Sequence, residues 1–177
     1  FRLQKVATYS WKRKPPNNHT IMRGKPAVKR VIRPDEKFNR EDIAKFINYI
    51  MLNGKKTVAE KTVYAALQHA SEKIKSPEMD IFEQALKNVG PILEVKSKRI
   101  GGANYQVPME VSKDRRNTLA MRWIITAARS GSGKPMAEKL SNEFINAYNG
   151  EGAAIKKKQE THRMAEANKA FAHFARF

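Results

Sequence analysis

The sequence changes character in residues 92–111, ILEVKSKRIGGANYQVPMEV, and this stretch decides the fold. The second half places apolar side chains at every second position, as β-strands do: Tyr105, Val107, Met109 and Val111. The first half is its natural partner strand, and Gly101-Gly102 provides the connection. Pro108 cannot donate a backbone hydrogen bond, so the pair is expected to have a free edge there. The stretch predicts a two-stranded β-hairpin.

On both sides of the predicted hairpin, apolar residues recur at helical spacing. The spacing predicts three helices before it, at about 39–52, 57–74 and 77–89. It predicts three after it, at about 114–130, at 135–149 and, following the lysines at 156–158, through Met164 to Phe174. Asn39 is the predicted N-cap of the first helix, and Thr57 with Glu60 forms a predicted capping box. Trp123 is expected to anchor the core. The predicted fold class is mainly α: a six-helix bundle-like domain with a protruding two-stranded β-hairpin and extended basic termini.

The net charge of +18 is concentrated in particular segments of the chain. Residues 1–37 carry 11 Lys and Arg against 2 acidic residues, residues 94–116 carry 6 against 3, and residues 152–177 carry 6 against 2. The helical blocks between them are nearly neutral. Positive charge that is clustered in this way indicates a polyanionic partner, with nucleic acid first and an anionic membrane surface second.

Residues 1–37 are rich in proline and lack apolar periodicity, so they are predicted to form a basic N-terminal arm. Residues 38–177 are predicted to form one helical RNA-binding domain with the hairpin at about 92–111. The aromatic residues of the arm, Phe1, Tyr9 and Trp11, lie among cations. They are expected either to stack on RNA bases or to pack against a neighbouring protein.

Residues with catalytic potential are scarce. The chain has no cysteine. The segment Gly131–Lys134 resembles a phosphate-binding loop, but Ala128 and Pro135 stand where that motif needs Gly and Ser or Thr, so an interhelix turn is favoured. His162 and Glu166 share a helix face, and a surface pair is favoured over an acid–base pair or part of a metal site. We therefore predict that the protein is not an enzyme and needs no cofactor or metal.

Four motifs carry a family resemblance: NGKK at 53–56, the hairpin sequence EVKSKRIGG with YQVP within 94–108, NTLAMRW at 117–123 and HRMAEANKAFAHF at 162–174. Together they resemble the small-subunit ribosomal protein seven family over about residues 28–177. The resemblance implies a mostly helical protein that binds the 3′ major (head) domain of small-subunit ribosomal RNA and supports head assembly. It also implies a hairpin near the exit-site tRNA and the mRNA path, and neighbouring ribosomal proteins of head and platform as partners.

Basic residues in and beside these motifs are the candidate RNA-binding set: Lys29, Arg30, Arg33, Lys55, Lys56, Lys96, Lys98, Arg99, Lys113, Arg115, Arg116, Arg122, Lys156, Lys157, Lys158, Arg163 and Lys169. The hairpin tip is expected near tRNA and mRNA: Ile100, Gly101, Gly102, Ala103, Asn104 and Tyr105. For the three arginines of the fourth helix, an alternative remains. One or two face RNA, and the others extend along the surface of the bundle.

The chain departs from the usual bacterial pattern at both ends. Residues 1–27 extend beyond the usual bacterial start, and the chain ends on Phe177 rather than on Trp. A basic extension on a bacterial-type core resembles a mitochondrial version of the protein. The expected location is therefore the mitochondrial ribosome in the matrix, with the bacterial cytoplasm as the alternative.

Three other functions compete with this interpretation. A general nucleic-acid packaging protein would use the same positive surfaces on DNA. An RNA-modifying enzyme is disfavoured because no cofactor loop or catalytic constellation is found. Membrane-surface binding is disfavoured because no predicted helix has a strongly cationic face opposite an apolar aromatic one. Affinity for a folded ribosomal RNA junction, compared with random duplex, separates the first of these from a ribosomal role.

Overall fold

A computed structural model describes residues 31–176 and shows a helical body with one β-hairpin. The elements in chain order are α1 (Glu41–Ile50), α2 (Lys56–Ile74), α3 (Glu78–Val89), β1 (Leu93–Ile100), β2 (Ala103–Glu110), α4 (Lys113–Ser130), α5 (Met136–Asn149), α6 (Ala153–Ala167) and a C-terminal 3₁₀ helix (Lys169–Arg176). The predicted fold class is confirmed. The last predicted helix is divided into α6 and the 3₁₀ helix.

The core of the helical body is centred on three aromatic rings from three different helices. Phe46 of α1, Phe82 of α3 and Phe144 of α5 are fully buried. Their ring centroids lie 5.5 Å (Phe46–Phe82), 5.6 Å (Phe46–Phe144) and 6.0 Å (Phe82–Phe144) apart. Because α5 also packs against α2 and α4, it connects most of the body. Trp123 packs against this core, as predicted.

The start of α1 differs from the prediction. The N-cap is Arg40, and Asn39 adopts a left-handed conformation with φ of 52°. A turn before the helix explains the shift: the buried Asp35 carboxylate accepts hydrogen bonds from the backbone N–H groups of Lys37 and Phe38, both at 3.2 Å. The Asp35 carbonyl accepts the Asn39 N–H at 2.9 Å. The Asp35 carboxylate therefore accepts two of the backbone N–H groups that precede the helix.

The same Asp35 joins the end of the predicted arm to the helical body. The hydroxyl of Tyr64 in α2 donates to Asp35 Oδ1 at 2.6 Å, and burial together with this carboxylate raises the pKa of the Tyr64 hydroxyl. Lys37 forms an ion pair with Glu78 of α3 at 3.0 Å. Residues 35–37 thus contact the body, although the arm was predicted to extend to residue 37. Residues 1–30 lie outside the described part of the chain, and the arm itself stays a prediction.

The predicted capping box at Thr57 and Glu60 is wrong. Helix α2 begins one residue earlier, at Lys56, and no side chain caps its N-terminus. Thr57 therefore lies in the first turn rather than at the cap. Glu60 instead forms an ion pair with Lys56 at 3.6 Å, one turn along the helix.

The start of α6 also differs from the prediction. The helix begins at Ala153, so the lysines at 156–158 lie within it rather than before it. Glu143 of α5 is buried, and its Oε1 accepts the Ala154 N–H at 3.0 Å. Burial raises the pKa of the Glu143 carboxyl, and the hydrogen bond from Ala154 opposes that effect. Gly152, with φ of 94°, is the N-cap of this helix.

The hairpin has its two strands and its turn where the sequence predicts them. Strands β1 and β2 pair antiparallel, with Leu93 opposite Glu110 and Ile100 opposite Ala103. Gly101 and Gly102 form the two-residue turn with φ of 58° and 90°, positive angles that β-carbon-bearing residues adopt only with strain. Val107 and Pro108 are buried near the base of the hairpin, which packs against α6. The body therefore holds the hairpin at its base.

Candidate nucleic-acid interface

Most of the candidate RNA-binding cations are exposed in the structure. Lys98, Arg116 and Lys158 are half-buried, whereas Lys29 and Arg30 lie outside the described residues. The exposed members of the set come from several elements and from the segments between them: Arg33, Lys55, Lys56, Lys96, Arg99, Lys113, Arg115, Arg122, Lys156, Lys157, Arg163 and Lys169. We call the exposed cations the outer group and the three half-buried cations the inner group, because the two groups have different contacts.

Some of the outer cations form ion pairs within the protein. Lys157 lies 3.4 Å from Glu160, one turn along α6, and Lys56 pairs with Glu60 as described above. Exposed pairs of this kind contribute about 0–1 kcal/mol to stability, so they are easily exchanged for phosphate contacts. The Arg122 guanidinium lies 5.4 Å from the centroid of the Tyr49 ring, over its face. These contacts position the cations without removing them from the surface.

Glu94 organises the base of the hairpin. Its side chain is buried, with 9% of the residue exposed, and it binds Lys96 of β1 at 3.0 Å and Arg115 of α4 at 3.2 Å. Burial alone raises the pKa of the Glu94 carboxyl. Hydrogen bonds and charge from Lys96 and Arg115 outweigh burial and leave that pKa below its ordinary value. Two candidate RNA-binding cations are therefore fixed to one carboxylate, which sets the position of the hairpin relative to α4.

Two of the inner cations, Arg116 and Lys158, meet where α3 is followed by β1. Lys158 donates to the Asn88 carbonyl at 2.7 Å, and burial with the nearby charge of Arg116 lowers the pKa of the Lys158 amine. A β-carbon at Gly90 would lie 2.7 Å from Arg116 Nε, so this glycine provides the space in which the arginine packs. The contacts of Arg116 and Lys158 with the backbone of 88–90 give both residues a structural role.

His162 completes this inner group and corrects one prediction. Its Nε2 atom accepts the backbone N–H of Ile92 at 3.1 Å, rather than pairing with Glu166. Burial lowers the pKa of the His162 imidazole, and the charges of Lys158 and Arg116 lower it further. A lowered pKa favours the neutral ring, which suits its role as an acceptor. His162 therefore holds the start of the hairpin through this hydrogen bond.

The two faces of the hairpin tip have different surroundings. Lys98 lies opposite Tyr105 in the register, and Arg99 lies opposite Asn104. Because neighbouring side chains on a strand point to opposite faces, these two pairs lie on different sides. Arg99 and Asn104 are exposed, whereas Lys98 and Tyr105 are half-buried. Only one face of the tip is therefore open to a ligand in this arrangement.

The covered face of the tip packs against the C-terminal 3₁₀ helix. The Tyr105 ring lies 5.3 Å from the Phe171 ring and 5.2 Å from the Phe174 ring, between centroids. We call Tyr105, Phe171 and Phe174 the aromatic clasp. Lys98 Nζ donates to the carbonyls of Phe174 at 3.2 Å and Ala175 at 3.4 Å. Lys98, a candidate RNA-binding cation, and Tyr105, a tip residue expected near tRNA and mRNA, thus bind the C-terminal element of the same chain.

Removing the aromatic clasp is expected to loosen the hairpin. A two-stranded hairpin is marginally stable alone, so a Phe171→Ala/Phe174→Ala variant should exchange the amide hydrogens of β1 and β2 faster, on the order of 10-fold. The amides of α5 should keep their protection. His173→Ala is the control, because His173 contacts Phe174 but has no ring contact with Tyr105 in the described structure. Unchanged exchange in the double variant, measured by mass spectrometry, would refute a clasp.

One surface hollow brings together four basic residues, and sequence patterns did not single out two of them, Lys87 and Arg40. The hollow, of about 370 Å³, is lined by Lys113 and Arg116 of α4 together with Lys87 of α3 and Arg40. Arg40 itself forms ion pairs with Glu83 and Asp42, which raise the pKa of its guanidinium despite the opposing effect of burial. Lys87 is the one cation of α3, which also carries three acidic residues, so no local cluster of positive charge marks it. Tertiary packing alone places it beside Lys113.

Within residues 31–176, no helix is both long and apolar enough to cross a bilayer. The same part of the chain has no group of three or more His, Cys, Asp or Glu residues able to hold a metal ion. Gly131–Lys134 forms an exposed connection between α4 and α5, in agreement with the predicted interhelix turn.

Comparison with known proteins agrees with the resemblance carried by the motifs. Residues 22–169 match the family described as ribosomal protein S7p/S5e. The chain is 57% identical over 148 residues to the small ribosomal subunit protein uS7 of Chloroflexus aggregans, covering 84% of this chain and 94% of that protein. It is 55% identical over 153 residues to the protein of the same name from Thermotoga maritima, covering 86% and 99%. This chain belongs to the ribosomal protein S7p/S5e family.

Proposed function

We propose that the protein is a structural component of the small ribosomal subunit that binds the 3′ major (head) domain of its ribosomal RNA. In this role it supports assembly of the head and acts in translation. Its family is one of structural, non-catalytic ribosomal proteins. Neighbouring ribosomal proteins of head and platform are its proposed protein partners.

One observation carries the RNA-binding part of the proposal. Eight exposed candidate cations have neither an ion pair nor a hydrogen bond to an acidic residue within residues 31–176. They come from α4, α6, β1, the 3₁₀ helix and the segments before α1 and α2: Arg33, Lys55, Arg99, Lys113, Arg122, Lys156, Arg163 and Lys169. A single packed core fixes most of these elements, so the charges have set spacings that suit a folded polyphosphate.

The proposed position of the hairpin, near the exit-site tRNA and the mRNA path, has narrower support. Arg99 and Asn104 form an exposed polar face at a tip that is held by its base and by the aromatic clasp. A cation and an amide at the end of a fixed projection suit contact with a nucleic-acid backbone. The open face, rather than the whole tip, is the proposed contact surface.

The compartment of this protein is that of the ribosome to which it belongs. A ribosomal location is stated for the family, while the mitochondrial matrix stays a prediction that rests on the basic segment 1–27. The relatives named above are bacterial proteins, which supports the alternative of the bacterial cytoplasm.

The experiment that tests the proposal compares two RNA ligands of equal length at one salt concentration. The protein is expected to bind a transcript of the head-domain multi-helix junction of small-subunit ribosomal RNA at least about 10³-fold more tightly than a random RNA duplex, the lower end of the range typical of specific over non-specific nucleic-acid complexes. Junction geometry sets the spacing of phosphates, whereas a duplex matches only some of the cations. Equal affinities would refute the proposal and favour a general nucleic-acid packaging protein.

A further inference from the structure

A groove beside the start of α2 combines apolar and cationic residues. It has a volume of about 520 Å³, within the range of about 300–1,000 Å³ found for small-molecule sites. Its lining residues come from the ends of α1 and α4, the connection between α1 and α2, the first turns of α2 and the start of α5: Ile50, Leu52, Asn53, Lys55, Val58, Ala59, Thr62, Arg129 and Met136. Five of these nine residues are apolar.

Two exposed apolar residues mark this groove as unusual. Leu52 is 64% exposed and Val58 is 58% exposed, although both are large and apolar. Single exposed apolar residues need no explanation on a protein surface, but these two line the same groove. Their positions, before and within the first turn of α2, leave an apolar surface that the body does not cover.

The polar part of the groove carries only positive charge. Lys55 and Arg129 are its charged lining residues, and none of the nine lining residues is acidic. Arg129 donates from Nη2 to the Ile50 carbonyl at 3.1 Å, which anchors one end of its guanidinium at the groove. An arginine plane held in this way can stack on a base, while Lys55 can bind a phosphate as a point charge.

We propose that this groove receives an unstacked nucleobase of a bound RNA, with the adjoining phosphate on Lys55 and Arg129. The inference rests on the proposed RNA-binding function and adds base burial to it. Charge complementarity favours RNA over an apolar protein segment, because both charged groups of the groove are cations. The groove is also close in size to a pocket for a small molecule rather than to a surface that accepts a whole helix.

The test compares two oligonucleotides that carry the same number of phosphates. One is a single-stranded oligoadenylate, and the other has the same length but carries abasic sites in place of the bases. The full chain should bind oligoadenylate more tightly. In a Leu52→Ser/Val58→Ser variant, the ratio of the two affinities should fall about 5-fold or more, since the variant loses a site for one base. Stacking elsewhere, including on Tyr9 or Trp11, is common to both proteins and cancels in the comparison.

A matched control removes an equally exposed apolar side chain outside the groove. Ile92 is 59% exposed, and Ile92→Ser should leave the ratio of affinities unchanged. Circular dichroism should show that all variants are folded, and the single Val58→Ser change repeats the test with the smallest perturbation. An unchanged ratio in both groove variants would overturn the inference and leave an apolar protein segment as the occupant. If the protein binds the head-domain transcript tightly but the ratio is unchanged, the inference is wrong while the proposed function stands.

Discussion

Replacing Phe144 with Ala is expected to lower the free energy of unfolding by about 3–5 kcal/mol. Phe144 is fully buried, and its ring contacts those of Phe46 and Phe82. The change removes the ring and leaves a cavity at the point where α5 meets α1 and α3. Because domains of this size are stable by only about 5–15 kcal/mol, the variant should lose much of its margin. Urea unfolding followed by circular dichroism measures the loss.

The same substitution at Phe171 is the matched control for Phe144. Phe171→Ala removes the same atoms from a half-buried position in the aromatic clasp, outside the core. Its effect on global unfolding should be clearly smaller, since less surface returns to water and no closed cavity forms. Equal losses for the two variants would show that the three-ring cluster is not the centre of the core.

The hairpin illustrates what local sequence can predict. Alternation along β2 identifies the strand, and Gly101-Gly102 accommodates the positive φ angles of a two-residue turn. Once the turn lies there, the pairing of the two strands follows. What covers one face of the tip could not be predicted. Alternation shows that Tyr105 and Arg99 lie on opposite faces of the hairpin. It does not reveal that the 3₁₀ helix, more than 60 residues later, packs on the face of Tyr105.

The helix starts show a different limit. The spacing of Thr57 and Glu60 fits a capping box, yet α2 begins at Lys56 without any side-chain cap. The lysines at 156–158 look like a basic linker, yet they are helical because Glu143, in another helix, accepts the Ala154 N–H. Capping patterns describe local hydrogen bonds, and at the start of α6 a carboxylate from another helix supplies a contact that such patterns cannot reveal.

The candidate interface was predictable as a set of charges rather than as a set of contacts. Local clustering found the cations of the hairpin, α4 and α6. It did not separate Arg99, which is exposed, from Lys98, which binds the C-terminal element. Nor did it find Lys87, which is the one cation of α3, or Arg129, which lies seven residues beyond the preceding cation of α4. Both become relevant only beside residues of other elements.

A pair of neutralising variants can show which cations contact RNA. Lys113→Gln/Arg163→Gln removes two exposed cations of the candidate set. Lys73→Gln/Lys75→Gln removes the same charge from the end of α2, where no RNA contact is predicted. On plots of the logarithm of affinity against that of salt concentration, the first change should flatten the slope by up to about 1.8, at roughly 0.9 per lost phosphate contact. The second should leave it unaltered.

The salt dependence of RNA binding by the unmodified protein tests the account most directly. Eight exposed cations without acidic partners within residues 31–176 correspond to a footprint of roughly 6–10 phosphates. Affinity for the head-domain transcript should therefore fall on the order of 10³–10⁵-fold between about 50 and 200 mM salt, because counterions released from RNA drive binding. An affinity that stays constant across this range would contradict the claim that packed helices hold clustered cations in position to bind a folded RNA.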